Sequence, residues 1–310
     1  MKVVVVTFPG SNCDQDCHRA VELSGGEPRY LWHRERGLSD ADAVILPGGF
    51  AYGDYLRAGS IARFSPAMED VVAFARQGGP VMAICNGFQI ACEAGLLPGA
   101  LMRNRTVRFH SFDQHLRVET TNTMWTSAYE PGQILSMPVA HAEGNYEADP
   151  DTIDRLEEDG RVLLRYVDAT GATSEEGNPN GSARSIAGIM NEQGNVMGLM
   201  PHPDRAMEAV VGSVDGRGVF QSLARHLNGP GAKLAPPPPK SHRVRATRRS
   251  RPSWSPTTVS PRRNTNASSR RSAGSPHSLN WACSARCGRN TAATRTRNGF
   301  FVCSPLKRPG

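Results

Sequence analysis

A short apolar run that ends at a cysteine constrains this chain more than any other feature. Residues 80–89 read PVMAICNGFQ, so a β-forming stretch leads into Cys85, and Gly87 and a helix-compatible segment follow. A nucleophile elbow has this order: a buried strand, a sharp turn at the nucleophile, then a helix. The glycine lets two backbones approach closely, and a helix N-terminus favours a thiolate. The run predicts an α/β fold with a cysteine nucleophile; an inert, packed cysteine is the alternative.

A second apolar run ends in a polar group much later in the chain. Residues 195–204 read NVMGLMPHPD, with a proline on each side of His202. The imidazole could take a thiol proton and Asp204 could orient it, whereas the alternative is a histidine in a surface loop. Because α/β sheets build their sites at the carboxyl ends of parallel strands, Cys85 and His202 together favour a site.

A third strand runs into a glycine-rich turn. Residues 44–57 read VILPGGFAYGDYLR, and Gly48 and Gly49 follow the apolar part directly. Backbone N–H groups in such a turn can hold an oxyanion. Taken alone, the segment also fits an ordinary strand-to-loop turn.

These three segments, in this order, resemble the glutaminase subunits of phosphoribosylformylglycinamidine synthases, a family of class I (triad-type) glutamine amidotransferases. The resemblance spans residues 1 to about 228 and includes residues 8–14 (FPGSNCD), 95–101 (GLLPGAL) and 138–144 (PVAHAEG). It implies an open, doubly wound, mainly parallel sheet with helices on both faces. Alternating strand and helix patterns early in the chain agree with that architecture.

The resemblance also implies roles for individual residues. These are the nucleophile Cys85, the base and later acid His202, the triad carboxylate Asp204, the oxyanion-hole residues Gly49 and Asn86, and the glutamine-seating residue Gln89. The family usually has glutamate at the position of Asp204 and more often glycine at the position of Ala142. The shorter aspartate must still reach the imidazole of His202.

The activity implied is hydrolysis of L-glutamine to glutamate and ammonia through a cysteine thioester. The ammonia would pass to a large synthase subunit that converts formylglycinamide ribonucleotide to the amidine with ATP and magnesium, and a small accessory subunit is a further expected partner. We expect no cofactor and no metal in this chain, which has no Walker-type phosphate loop. Cys13 and Cys17, four residues apart, are expected to be packing or partly exposed thiols rather than a metal pair.

Composition divides the chain into two parts. Residues 229–310 contain 17 Lys or Arg and no Asp or Glu, whereas residues 1–228 contain 19 basic and 29 acidic residues. We therefore expect an amidotransferase domain over residues 1–228 and a basic, Pro/Ser/Arg-rich disordered tail over residues 229–310. In a reading frame shifted by one base, residues 271–295 permit a sequence that resembles the start of the large subunit. The tail is thus interpreted as an out-of-frame translation of an adjacent gene.

Two other functions remain open at the level of sequence. One is another elbow-cysteine hydrolase of the same superfamily, and the other is a non-enzymatic regulator that binds nucleic acid through the basic tail. The order of Cys85 and the His202 segment favours the amidotransferase, and no nucleic-acid partner is expected. A cytoplasmic location is expected, because the body cysteines form no disulfide pattern and no apolar run is long enough to span a membrane.

Overall fold

The structure, a computed structural model, describes residues 1–229 and two further segments, Thr291–Arg295 and Phe301–Pro305. The chain divides into two units, Met1–Val244 and Arg245–Gly310. In the second unit the two segments pair as antiparallel strands, which the expectation of a disordered tail does not include. The remainder of the predicted tail, with its proposed out-of-frame origin, lies outside the described residues.

Eleven strands and five α-helices form the first unit within the described residues. The strands are β1 (Lys2–Thr7), β2 (Glu27–Trp32), β3 (Ala43–Leu46), β4 (Val81–Ile84), β5 (Ala100–Met102), β6 (His110–Val118), β7 (Ile134–His141), β8 (Asn145–Glu147), β9 (Val162–Tyr166), β10 (Ile186–Met190) and β11 (Val196–Leu199). The helices are α1 (Asp14–Leu23), α2 (Pro66–Arg76), α3 (Asn86–Glu93), α4 (Pro150–Glu158) and α5 (Arg217–Asn228). Among the described residues, no helix combines the length and apolar character needed to cross a membrane.

Nine strands form one sheet in the order β2-β1-β3-β4-β11-β10-β9-β6-β7. The five strands from β2 to β11 pair in parallel, and the strands beyond β11 extend the sheet by antiparallel pairing. The predicted α/β fold is confirmed, and its parallel part is where the candidate site lies. Since β4 and β11 are parallel neighbours, their carboxyl ends bring Cys85 and the His202 segment to one edge.

Apolar β-branched residues explain why the inner parallel strands are buried. In β1 the four consecutive valines, residues 3–6, are fully buried, as expected for a strand covered on both faces. The β1-α1-β2 connection moves one way along the sheet and the β3-α2-β4 connection moves the other way. Right-handed crossovers in opposite directions place their helices on opposite faces, which agrees with the predicted doubly wound layout.

Several boundaries differ from the sequence-based expectation. The sequence predicts strands over residues 43–46, 81–84, 117–121 and 186–190. The first, second and fourth are confirmed as β3, β4 and β10, whereas the strand observed in place of the third is the longer, earlier β6. Strand β2 is not predicted, because half of its side chains are exposed and they give no alternation. Helix α4 is also missed, although Asp149 caps it by accepting a hydrogen bond from the Thr152 N–H at 3.0 Å.

Candidate active site

Cys85 forms a strained turn between β4 and α3. Its φ of +50° and ψ of −106° lie outside the regions that non-glycine residues favour, at a cost of about 1–3 kcal/mol. The Cys85 N–H donates to the Leu199 carbonyl at 2.7 Å, which ties the turn to the end of β11. At Gly87 a Cβ would lie 2.0 Å from the Leu46 carbonyl oxygen, so only glycine allows α3 to start this close to β3. The predicted elbow is confirmed.

His202 enters the same edge of the sheet from the loop after β11. Its N–H donates to the Pro138 carbonyl at 2.8 Å, and the ring is buried. The ring packs directly on the glycine-rich turn after β3, since a Cβ at Gly48 would lie 2.7 Å from His202 Cε1. The turn thereby leaves room for the imidazole.

The carboxylate of Asp204 faces the imidazole of His202. Nδ1 of His202 lies 3.4 Å from Oδ1 of Asp204, and the two side chains are 1% and 0% exposed. Neither ring nitrogen and neither carboxylate oxygen makes a hydrogen bond within the described residues, so the contact is an ion pair at close range. Burial alone lowers the pKa of His202, but the negative charges of Asp204 and of the Cys85 thiolate outweigh it and raise that pKa well above its ordinary value. An imidazolium is the form that can protonate a leaving amine.

Cys13 is a neighbour of this pair that the sequence did not indicate. Ligand atoms of Cys13, His202 and Asp204 all lie within 4.8 Å of one another. The sulfur lies 3.1 Å from Asn12 Oδ1 and accepts from Arg205 Nη2 at 2.9 Å. Burial raises the pKa of the Cys13 thiol, although the nearby imidazole of His202 opposes this. Thiol, imidazole and carboxylate could ligate zinc, but the Arg205 guanidinium on the same sulfur would repel a cation.

A cavity of about 270 Å³ opens beside the elbow. Its lining combines the candidate nucleophile, backbone and apolar groups and a few charged side chains: Gly49, Phe50, Gly53, Asp54, Cys85, Gln89, Arg103, Ala140, His141, Ala142 and Glu143. Burial, and then the charge of Glu143, raise the pKa of Asp54 to about 6. Three larger depressions elsewhere on the described surface contain neither Cys85 nor His202.

The sequence matches the model of the CobB/CobQ-like glutamine amidotransferase domain over residues 1–223. This span is most of the chain and includes every residue of the site. The chain belongs to this amidotransferase family.

Relatives of this amidotransferase are similar over the same part of the chain. A protein of Salinibacter ruber named phosphoribosylformylglycinamidine synthase subunit PurQ is 56% identical over 225 residues, which is 72% of this chain and 96% of the relative. The PurQ of Rubrobacter xylanophilus is 56% identical over 223 residues, 72% of this chain and 97% of that one. Among solved structures, PurLQS from Thermotoga maritima aligns with a TM-score of 0.66 at 42% identity, covering 73% of this chain and 98% of that one.

The amidotransferase fold places the two candidate oxyanion-hole residues close to Cys85. Gly49 lines the cavity with Cys85, and Asn86 is the first residue of α3. Neither backbone N–H has an acceptor among the hydrogen bonds of the described residues, and the first N–H groups of a helix have no intrahelical partner. Both N–H groups are therefore free to donate hydrogen bonds to a ligand oxygen, as the assigned role requires.

Gln89 also has a structural role that the sequence did not indicate. Its Oε1 accepts from Asn86 Nδ2 at 2.8 Å, and its Nε2 donates to the Glu143 carbonyl at 2.6 Å. The Asn86 Oδ1 in turn accepts from the Ala51 N–H at 3.0 Å. These bonds fix the turn after β3 and the turn after β7 to the elbow, so Gln89 shapes the cavity that it lines. The substrate-seating role expected for Gln89 stays a prediction.

Proposed function

We propose that Cys85, His202 and Asp204 make this chain the glutaminase subunit of a phosphoribosylformylglycinamidine synthase. The observation that carries the proposal is the placement of a strained cysteine elbow and a buried His-Asp pair at the ends of adjacent strands β4 and β11. The matching PurQ relatives cover the whole of this region. Another elbow-cysteine hydrolase of the same superfamily would not be expected to be 56% identical to a PurQ over 225 residues.

The first half of the reaction uses the Cys85 thiolate and the His202 imidazolium. The Cys85 thiolate attacks the side-chain carboxamide carbon of glutamine, and the N–H groups of Gly49 and Asn86 stabilise the oxyanion that forms. The C–N bond breaks as the His202 imidazolium donates its proton to the departing nitrogen. Ammonia leaves, and a γ-glutamyl thioester remains on Cys85.

The second half restores the enzyme. His202, now neutral, takes a proton from a water molecule that attacks the thioester carbon. The C–S bond breaks, so that glutamate and the Cys85 thiolate are released and His202 is again an imidazolium. Asp204 keeps the imidazole oriented and stabilises its positive charge throughout.

The ammonia is used by a large synthase subunit, which forms the amidine of formylglycinamide ribonucleotide. ATP and magnesium belong to that subunit in this proposal, and this chain supplies no cofactor or metal. A small accessory subunit completes the assembly, as the name of the PurLQS structure suggests by analogy. A cytoplasmic location is supported by the four free cysteines of the described residues. The nucleic-acid-binding alternative relies on the tail, most of which lies outside the described residues.

Covalent labelling tests the proposal directly. A diazoketone analogue of L-glutamine should alkylate Cys85 once, and peptide mass spectrometry should find the adduct on that residue. L-glutamine should protect it, and the Cys85→Ala variant should stay unlabelled while Cys92→Ala labels normally. Labelling that L-glutamine does not slow, or an adduct on another cysteine, would contradict the proposal.

A further inference from the structure

The cavity beside Cys85 holds opposite charges at its edge. Its charged lining residues are Asp54, Glu143 and Arg103. Asp54 comes from the turn after β3, Glu143 from the turn after β7, and Arg103 follows β5. Three separate chain segments therefore bring two carboxylates and one guanidinium to a space whose other walls are backbone, apolar groups and neutral polar side chains.

The two carboxylates keep acceptor capacity for a ligand. Asp54 Oδ1 has one long contact, 3.5 Å, from Asn86 Nδ2. Glu143 Oε2 has a long contact of 3.4 Å from the Ala58 N–H, and its Oε1 lies 3.7 Å from Arg103 Nε. Each contact is at or beyond the limit of a good hydrogen bond. Because like charges disfavour each other, a cation between Asp54 and Glu143 would be stabilised by both.

A third acceptor lies in the same cavity wall. His141 is 3% exposed, and its Nε2 has no hydrogen-bond partner among the described residues. Its Nδ1 faces Asn104 Oδ1 at 3.2 Å, and that oxygen also accepts from the Gly144 N–H. Burial, and then the charges of His202 and His110, lower the pKa of His141 to about 3, so the ring is neutral. Nδ1 therefore carries the proton and Nε2 offers a lone pair to a ligand N–H.

We propose that Asp54 and Glu143 bind the α-ammonium group of L-glutamine, with Arg103 taking the α-carboxylate and His141 Nε2 accepting an N–H from the substrate. The assignment rests on the proposed glutaminase activity and names the specificity determinants of that site. A zwitterionic amino-acid head needs one anionic and one cationic partner, and its carboxamide must reach Cys85 in the same small cavity. A volume of about 270 Å³ suits a ligand smaller than those of ordinary drug-sized pockets, which occupy about 300–1,000 Å³.

The test combines variants of the protein with variants of the substrate. Glutaminase activity of the full chain, with the large subunit present, is measured for Asp54→Asn, Glu143→Gln and Arg103→Met. The substrates are L-glutamine, 4-carbamoylbutanoate, which lacks the α-ammonium group, and the α-amide of L-glutamine, which lacks the α-carboxylate. The exposed residues Glu147 and Arg108, which do not line the cavity, supply the matched controls Glu147→Gln and Arg108→Met.

For L-glutamine, KM should rise about 10- to 100-fold in Asp54→Asn and Glu143→Gln, since a charged hydrogen bond contributes about 1.5–3 kcal/mol. The kcat should stay within a few-fold, and both controls should match the parent. With 4-carbamoylbutanoate, Asp54→Asn and Glu143→Gln should have the same KM as the parent. Arg103→Met should raise KM for L-glutamine and for 4-carbamoylbutanoate, and should match the parent only with the α-amide. If an analogue turns over too slowly, its Ki against L-glutamine replaces its KM.

Each other outcome is decisive. If an analogue does not bind the parent at all, the head group that it lacks is required for binding. The assignment is then decided by comparing KM for L-glutamine between the cavity variants and the two control variants. Equal losses on L-glutamine and 4-carbamoylbutanoate would overturn the ammonium assignment while leaving the glutaminase intact. A parent that hydrolyses no glutamine and is not labelled at Cys85 would instead refute the proposed function itself.

Discussion

Nδ1 of His202 lies 3.4 Å from Oδ1 of Asp204, with both side chains almost completely buried. The shorter aspartate thus reaches the position that a triad carboxylate needs for electrostatic contact, although the two groups make no hydrogen bond within the described residues. A buried imidazolium or carboxylate without a partner of opposite charge would destabilise the fold, so each of these two groups depends on the charge of the other.

Removal of the Asp204 charge should therefore impair catalysis while leaving the geometry of the fold largely unchanged. Asp204→Asn keeps the shape of the side chain, and we expect glutaminase kcat to fall by about 10²- to 10⁴-fold. Asp204→Glu keeps the charge and should stay within about tenfold of the parent. Ammonia-dependent synthesis by the complex should be unchanged in both. Near-parental glutaminase kcat in Asp204→Asn would show that Asp204 is not the orienting carboxylate.

The same pair predicts how stability depends on pH. The pKa of His202 is raised in the folded protein, because Asp204 and Cys85 outweigh the opposing effect of burial. A histidine with a raised folded pKa stabilises the fold fully below its unfolded pKa of about 6.5, and this contribution is lost as pH rises through the folded pKa. In urea unfolding, the free-energy difference between parent and Asp204→Asn should shrink as pH rises above the unfolded value. A difference that grows with pH would contradict this account.

Replacement of Asp54 should increase the stability of the fold at high pH while weakening the binding of L-glutamine. Burial and Glu143 raise its pKa to about 6, so the folded state binds the proton more tightly than the unfolded state. The stabilisation is complete below the unfolded pKa of about 3.9 and is lost as pH rises through about 6. Asp54→Asn should therefore be more stable than the parent at pH 8, by about 1–2 kcal/mol after allowance for solvent screening, while its KM for L-glutamine rises. Chemical denaturation at pH 8 checks the sign; a destabilised Asp54→Asn would refute it.

Gly87→Ala should destabilise the elbow. The new Cβ would lie 2.0 Å from the Leu46 carbonyl oxygen. The clash could be relieved only by moving the backbone of β3 or of α3, which is costly. We expect a loss of about 1–3 kcal/mol or more, together with loss of Cys85 labelling by the glutamine analogue. Gly160→Ala is the control, since its φ of +63° carries a conformational cost while the nearest atom to a new Cβ is 4.0 Å away. Equal stability changes in the two variants would show that the close approach at Gly87 is unimportant.

Residues 229–310 should be dispensable for glutaminase chemistry. All the candidate site residues precede residue 205, and helix α5, the last helix before residue 229, ends at Asn228. Truncation after Asn228 should leave kcat and KM for L-glutamine within about twofold of those of the full chain, provided the large subunit is present. A truncated protein that binds the large subunit but has lost most of its glutaminase activity would assign the tail a role.

The sequence predicts the strands that are buried on both faces and the site residues that follow them. Strands β3, β4 and β10 are confirmed because continuous apolar runs bounded by turn residues identify them. Strand β2 is missed because it lies at the edge of the sheet and is half exposed. The departure at Ala142 proves harmless to the backbone, since this residue is not among those with a positive φ.

Contacts that depend on strand order lie beyond what the sequence can predict. Cys13 reaches His202 and Asp204 only because β1 and β11 flank β3 and β4 in one sheet. About 190 residues separate these side chains along the chain, and no local pattern encodes their meeting. The head-group residues Asp54, Glu143 and Arg103 likewise come from three loops, each of which resembles an ordinary polar turn when read alone.

The most direct test of the central claim compares two nitrogen sources in one assay. Amidine formation by the chain with its large subunit is measured with L-glutamine and with ammonia, for the parent and for Cys85→Ala. We predict that both sources support the parent and that only ammonia supports Cys85→Ala. Glutamine-dependent synthesis that survives in Cys85→Ala would contradict the assignment of Cys85 as the glutaminase nucleophile.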